Sequence, residues 1–347
     1  MKWCQLSFFD ESQRHRKLDK LNDPLVVLKA YVDFELFRDA LEKVFEKPRQ
    51  SKAGRKALDV VFMFKILILQ RLYNLSDEQV EYQINDRLSF CRFLDLPIGA
   101  SAPDFTTVWK FREALVKADA VKGLFDLFTG MLNEKGLITK AGSIIDASFV
   151  EVPRQRNTRQ ENDLVREGQT PNEWKNNPKK LSQKDVDARW TKKNSIPFYG
   201  YKDHVKADAE SKLITDYVVT DASVHDSQAL FDLVDEKCKG ERIFADSAYA
   251  GEQFAARLES LGVTNFIHEK AYRNKPLSES SKEFNSLKSK IRCLVEHIFG
   301  YIENSMGGPE LRYIGMARNA AGVGLCNLAY NMKRYIYLLR GSDGAAA

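Results

Sequence analysis

Cysteine is scarce in this chain: five in 347 residues, at positions 4, 91, 238, 293 and 326, with no CxxC pair. An odd, scattered set of this kind excludes a disulfide scaffold or a zinc knuckle, and reduced cytosolic thiols are expected. Long apolar runs are also missing. The strongest, Val60–Leu69, is broken by Lys65 and stops at Gln70, whereas a membrane-spanning helix needs about 20 apolar residues. The first 17 residues contain no apolar stretch of signal-peptide length, so a cytoplasmic protein without a membrane partner is expected. GxSxG, P-loop, GxGxxG and HExxH patterns are all absent, which removes the sequence support for serine hydrolases, P-loop NTPases, Rossmann enzymes and zinc proteases. There is no internal repeat.

The chain does have enough hydrophobic residues, 44%, and enough charge, 29%, for a folded globular protein of about two domains. Its net charge of +5 is concentrated. Residues 154–212 hold fourteen Lys/Arg against nine Asp/Glu, and the rest of the chain balances. A basic segment of this kind suggests a polyanionic partner.

Apolar spacing near 3.6 residues marks helices over about 25–45, from Ala57, from Ser76, from Asp104, and over Ala120–Asn133, with a basic linker at 47–56. Ser76 and Gln79 form a capping-box pattern. Residues 1–136 therefore read as an all-helical domain of four or five helices. From Gly142 the period changes. Strands are expected at Ser143–Val152, Phe198–Lys206, Lys212–Thr220, Arg242–Ala245 and Val263–Ile267. Helices are expected at Asp226–Lys237, Gly251–Ser260, Lys282–Asn304 and Ala317–Leu339. Residues 153–197 are polar, contain prolines and lack periodicity, and read as a long, partly ordered insertion. The second domain, 137–340, is thus an α/β unit. Its first three strands form an antiparallel meander and its later strands add in parallel. The ribonuclease-H-like mixed sheet has this order of elements.

Three carboxylates occupy positions that packing alone does not favour. Asp146 lies inside an apolar strand, Asp246 follows Ile243-Phe244-Ala245, and Glu296 is flanked by apolar residues on a helix. Strands disfavour Asp, and a buried carboxylate needs a partner. The C-terminal ends of parallel strands are where open α/β sheets place their sites. With the first strand central, the fourth beside it and the last helix across their ends, the three converge. Oxygen-only ligands then point to two Mg²⁺ or Mn²⁺ ions, the arrangement used for in-line phosphodiester displacement. Asp203, Asp216 and Asp221 are rival acids. The five histidines show no metal-ligand spacing, and His204 and His225 are expected at the surface.

Several motifs in order carry a family resemblance: Gly54–Lys56 through Leu67–Asp77, Arg87–Leu94, Ala102–Thr107 with Phe111-Arg112, Asp187–Lys193, Tyr199–His204, Ala245–Tyr249 and Arg292–Gly300. Together they resemble the bacterial insertion-sequence transposases of the DDE class, and most closely the insertion-sequence-five group. The resemblance implies Asp146, Asp246 and Glu296 as the catalytic, metal-binding triad. Asp146 would bridge both ions and the other two would hold one each. Of the family's last motif (Tyr, two residues, Arg, three, Glu, six, Lys), Arg292 and Glu296 match, while Ser289 and Glu303 stand at the Tyr and Lys positions. Arg292, Lys290, Lys192, Lys193 and Lys202 are the cations expected on DNA. The helical domain would bind terminal inverted repeats. The catalytic domain would nick the ends and join the 3′-OH to target DNA, acting as a homodimer at the bacterial nucleoid. Two other readings stay open: a catalytically impaired DNA-binding derivative, and a ribonuclease-H-like nuclease that cuts without joining.

Overall fold

Carboxylates and hydroxyls placed just ahead of apolar periodic stretches start the helices of the N-terminal region. Asp23, Asp59, Ser76 and Asp104 each accept a hydrogen bond from a first-turn N–H, which satisfies donors that have no partner within the helix. The Ser76–Gln79 capping box forms with both bonds, 3.1 and 2.9 Å. The computed structural model describes residues 10–46, 57–97, 99–271, 277–308 and 310–343. The basic linker 47–56 therefore lies outside the described residues. The region is more finely divided than its periodicity suggests. Its helices are α1 (Asp10–Lys20), α2 (Pro24–Tyr31), α3 (Arg38–Phe45), α4 (Val60–Leu72), α5 (Asp77–Asp86), α6 (Leu88–Leu94), α7 (Phe105–Lys117) and α8 (Ala120–Glu134).

A six-stranded mixed sheet follows: β1 (Ser143–Glu151), β2 (Arg189–Lys193), β3 (Ile196–Asp208), β4 (Ile214–Asp221), β5 (Arg242–Phe244) and β6 (Thr264–Asn265). β1 pairs antiparallel with β3 along its whole length, from Ser143 opposite Asp208 to Glu151 opposite Gly200. β3 pairs antiparallel with β4 and β2. On its other side β1 pairs in parallel with β5, but only at Ser143 and Ile144, and β5 pairs in parallel with β6. The meander, the central first strand and the parallel addition are as expected. Gly200 is required where β3 crosses β1: its φ is +144°, and a Cβ there would lie 2.3 Å from the Val150 carbonyl oxygen.

The polar segment is the main departure. Residues 153–188 are not an irregular loop but carry α9 (Arg159–Arg166), α10 (Asn172–Lys175) and α11 (Pro178–Leu181), and the segment ends in β2. A Thr158–Glu161 capping box starts α9. Trp174 is fully buried and donates its indole N–H to Glu161 at 2.6 Å. Asp185 accepts the Tyr201 hydroxyl at 2.8 Å and the Gly315 N–H at 3.0 Å, and Asp187 accepts the Met316 N–H at 2.8 Å. Bonds between distant residues, rather than periodic apolar faces, order this stretch.

Beyond β4 the chain forms short turns of 3₁₀ helix around α12 (Leu230–Leu233), then α13 (Glu252–Ser260). The single helix expected over 282–304 is two, α14 (Glu279–Arg292) and α15 (Leu294–Ser305), separated at Cys293. The last helix, α16 (Met316–Asp343), packs on α2, α4, α7, α8 and β4. One continuous apolar cluster therefore joins the N-terminal helices, α15, α16 and one side of the sheet, and a smaller one around Leu230, Tyr249 and Leu258 covers the other side.

Three fully buried asparagines, Asn319, Asn327 and Asn331, lie on α16. Asn331 accepts from the Ile214 N–H at 2.9 Å and donates to the Ile214 carbonyl at 2.7 Å, taking the place of a further strand beside β4. Replacing Asn331 with Ala strands both buried backbone groups. We expect a loss of about 2–4 kcal/mol, read as a lower chemical-denaturation midpoint. An unchanged midpoint contradicts this role for Asn331.

Candidate active site

The site forms where two parallel strands cease to pair. β1 and β5 pair at Ser143–Ile144, and β5 ends at Phe244 while β1 continues to Glu151, which leaves the residues after this pairing at an open edge. Asp146 stands on β1 at this edge, and Asp246 lies two residues past the end of β5. Helices α14 and α15 pack on β1. α15 buries Val295, Ile298 and Ile302 and leaves Glu296 exposed in its first turn. A cavity of about 610 Å³ results, lined by Asp146, Asp246, Glu296, Arg292, Lys193 and His268, with Ser148, Ser247 and Ser289 between them.

Each carboxylate is held differently. Asp146 accepts from the Ala147 N–H at 2.8 Å and from Arg292 Nη1 at 3.2 Å. Burial pushes its pKa up to about 6, the Ala147 N–H and Arg292 oppose this, and Asp246 adds a repulsive contribution. Asp246 caps the short turn Ser247–Tyr249, accepting from the Ala248 N–H at 2.8 Å. Glu296 receives Arg292 Nη2 at 2.9 Å, one helical turn away across the break at Cys293. Arg292 thus bridges Asp146 and Glu296 with separate nitrogens of one guanidinium. A fixed positive charge already sits among these oxygens.

Of the cations expected on DNA, Arg292 and Lys193 face the cavity. Lys192 and Lys290 are exposed and do not line it. Lys202 is buried instead, paired with Asp226 at 2.7 Å and packed over the Phe149 ring, so it is not brought to the cleft. The rival acids are also engaged elsewhere. Asp203 is buried and accepts from Asn327, Asp216 pairs with Lys122, and Asp221 accepts from Ser223. His204 corrects the surface expectation: it is fully buried and bonded to Thr220 at 2.8 Å, and burial lowers its pKa to about 4. Of the two positions departing from the last motif, Ser289 lines the cavity and Glu303 does not.

His268 was missed as a site residue. It follows β6, and its N–H donates to the Ala245 carbonyl at 3.1 Å, which sets it beside Asp246. Burial and the neighbouring Arg292 and Lys288 lower its pKa, favouring a neutral imidazole. The signal was available, because His268 ends a parallel strand as Asp246 does.

Among the described residues, no three His, Cys, Asp or Glu side chains stand close enough together to hold a metal ion as arranged. The chemistry of the donors nevertheless fits a hard cation. They are carboxylate oxygens, one of them is buried enough to resist ionisation, and a guanidinium occupies the place between two of them.

Comparison with known families identifies both the mixed sheet and the helical region that precedes it. A family model described as transposase DDE domain matches residues 139–332, and one described as transposase domain (DUF772) matches residues 12–114. The chain belongs to the DDE transposase family. Among solved structures, a piggyBac transposase synaptic complex with hairpin DNA is similar at 14% identity and a TM-score of 0.47, over 92% of this chain and 76% of that one. Among the described residues no helix is long and apolar enough to cross a membrane.

The raised pKa of Asp146 has a thermodynamic consequence. Its folded state binds a proton more tightly than the unfolded chain does, so ionising it costs stability as pH rises from 3.8 to about 6. Asp146→Asn imitates the protonated form and removes that cost. The variant should match the wild type near pH 4 and exceed it by roughly 1–3 kcal/mol above pH 6.5. Denaturation series at several pH values check this, and a gap that does not grow with pH contradicts it.

Proposed function

We propose that this chain is an insertion-sequence DNA transposase that nicks the ends of its element and joins the freed 3′-OH to target DNA. The observation that carries the reading is the meeting of Asp146, Asp246 and Glu296 with Arg292 around one cavity, in a chain of the DDE family. In this reading the three carboxylates would hold two Mg²⁺ or Mn²⁺ ions. Bound there, the ions supply activation of an attacking oxygen and stabilisation of a leaving oxygen at a phosphodiester.

The remaining work falls to the chain's own side chains. Arg292, held at the cleft beside Asp146 and Glu296, would offer its planar fork to a phosphate oxygen next to the scissile bond. Lys193, at the end of the β2–β3 hairpin, places a second positive charge at the mouth of the cleft. His268, kept neutral, offers a hydrogen-bonding group beside Asp246 without adding repulsion to phosphate. The helical region 1–136 would recognise the terminal inverted repeats, and two copies of the chain would bring two ends together.

The test is cleavage and joining of labelled DNA carrying the element's ends, with Mg²⁺ or Mn²⁺, for wild type and Asp246→Ala. Metal-dependent nicking with joined products, both lost in the variant by at least 10³-fold, supports the reading. Nicking without joined products makes the protein a nuclease. Tight end binding without chemistry in either form makes it a DNA-binding derivative. Arg292→Ala should lose most of the activity while retaining end binding, measured on the same DNA.

A further inference from the structure

A second charged cavity, of about 330 Å³, lies where α4, α5, α7 and the loop leading into α16 meet. Four guanidiniums surround it and only two carboxylates answer them. Arg112, 4% exposed, forks onto Asp77 at 2.6 and 2.8 Å. Arg318 forks onto Glu113 at 2.7 and 2.9 Å. Arg71, only 7% exposed, has no carboxylate within ion-pair distance among the described residues. Its polar contact is the Tyr313 hydroxyl at 3.1 Å. Arg312 is exposed and makes a single 3.4 Å bond to the Asn74 carbonyl.

The arrangement is built rather than incidental. The Tyr313 ring lies 4.6 Å from the Arg112 guanidinium and 5.5 Å from that of Arg71, and so holds both. The ring packs against α16 at Gly322, where a Cβ would fall 2.8 Å from it. Trp109, 45% exposed, forms part of the cavity wall. Arg71 has only the longer-range attraction of Asp77 to offset its burial, and its fork geometry suits phosphate oxygens. None of these residues lines the carboxylate cleft.

We propose that this cavity is a phosphate site for the backbone of DNA, with Arg71 and Arg312, the two guanidiniums outside the carboxylate forks, supplying the charge and Trp109 an exposed wall. The inference rests on the transposase reading for its ligand. It adds a DNA contact, formed jointly by the helical region and the C-terminal segment, outside the carboxylate cleft.

The test uses the full-length protein and measures binding of fluorescent duplexes, one carrying the element's ends and one scrambled, across a salt series. Arg312→Ala, at an exposed position, and Arg71→Gln, checked for folding by circular dichroism, should each lower the slope of log K against log salt by about one. The loss should be equal on both duplexes, because phosphate contacts carry no sequence information. Unchanged slopes in Arg312→Ala and in folded Arg71→Gln overturn the proposal. So does calorimetric binding of inorganic pyrophosphate that Arg71→Gln abolishes while the DNA slopes stay unchanged, since the cavity then serves a free phosphate ligand. Cleavage by the wild type is scored separately on the same duplexes. Lowered slopes without cleavage keep the phosphate site and discard the transposase reading; cleavage with unchanged slopes does the reverse.

Discussion

The architecture of the cleft depends on the charge balance of one buried carboxylate. Asp146 sits inside the central strand, where burial makes ionisation unfavourable, and its compensation comes from Arg292 on a helix 146 residues later. That contact adds a charged link between the strand and the junction of α14 and α15, which also pack on β1. The helix break at Cys293 separates Arg292 from Glu296 by one turn, and the guanidinium still spans both acids. A carboxylate at this place without a nearby positive charge would be expensive. The site is therefore a local concession of stability for charge density, held in place by the apolar packing of Val295, Ile298 and Ile302 behind it.

The sheet explains why the site lies where it does. β1 is paired along its full length on one side and over only two residues on the other. The early end of β5 leaves an edge at the carboxyl ends of two parallel strands, the place where α/β sheets generally bind ligands. The helices that close the edge belong to the same apolar cluster as the N-terminal helices and α16. The region matched to one transposase family model and the region matched to the other thus share a core. That sharing is what forms the Arg71–Arg312 cavity at their junction.

Asp146 stands out in the sequence as an Asp inside an apolar strand and Asp246 as one just past a buried strand, and both line the cavity; Glu296 also lines it, but from the exposed face of α15 rather than from among its buried residues. The meander, the parallel strands and the capping box at Ser76 were legible for the complementary reason that they follow local rules. Lys202 and His204 were misread because alternation along β3 says which residues share a face but not whether that face is covered. Asp226 and Thr220 meet them from elsewhere in the chain. The 153–188 segment was misread because its order comes from Trp174 on Glu161 and Asp185 on Tyr201, contacts without a period.

By itself, then, the sequence determined the order of the five strands it marks, the change from helical to strand period at Gly142, and Asp146 as an acid out of keeping with its apolar strand. These are properties of spacing and residue type. Tertiary structure alone decided that Arg292 bridges two of the cavity's acids, that His268 joins them, that Lys202 is consumed by Asp226, and that Arg71 is buried with no carboxylate at ion-pair distance among the described residues. Each depends on which distant side chain arrives at a given point. Packing geometry sets that, and no local pattern encodes it.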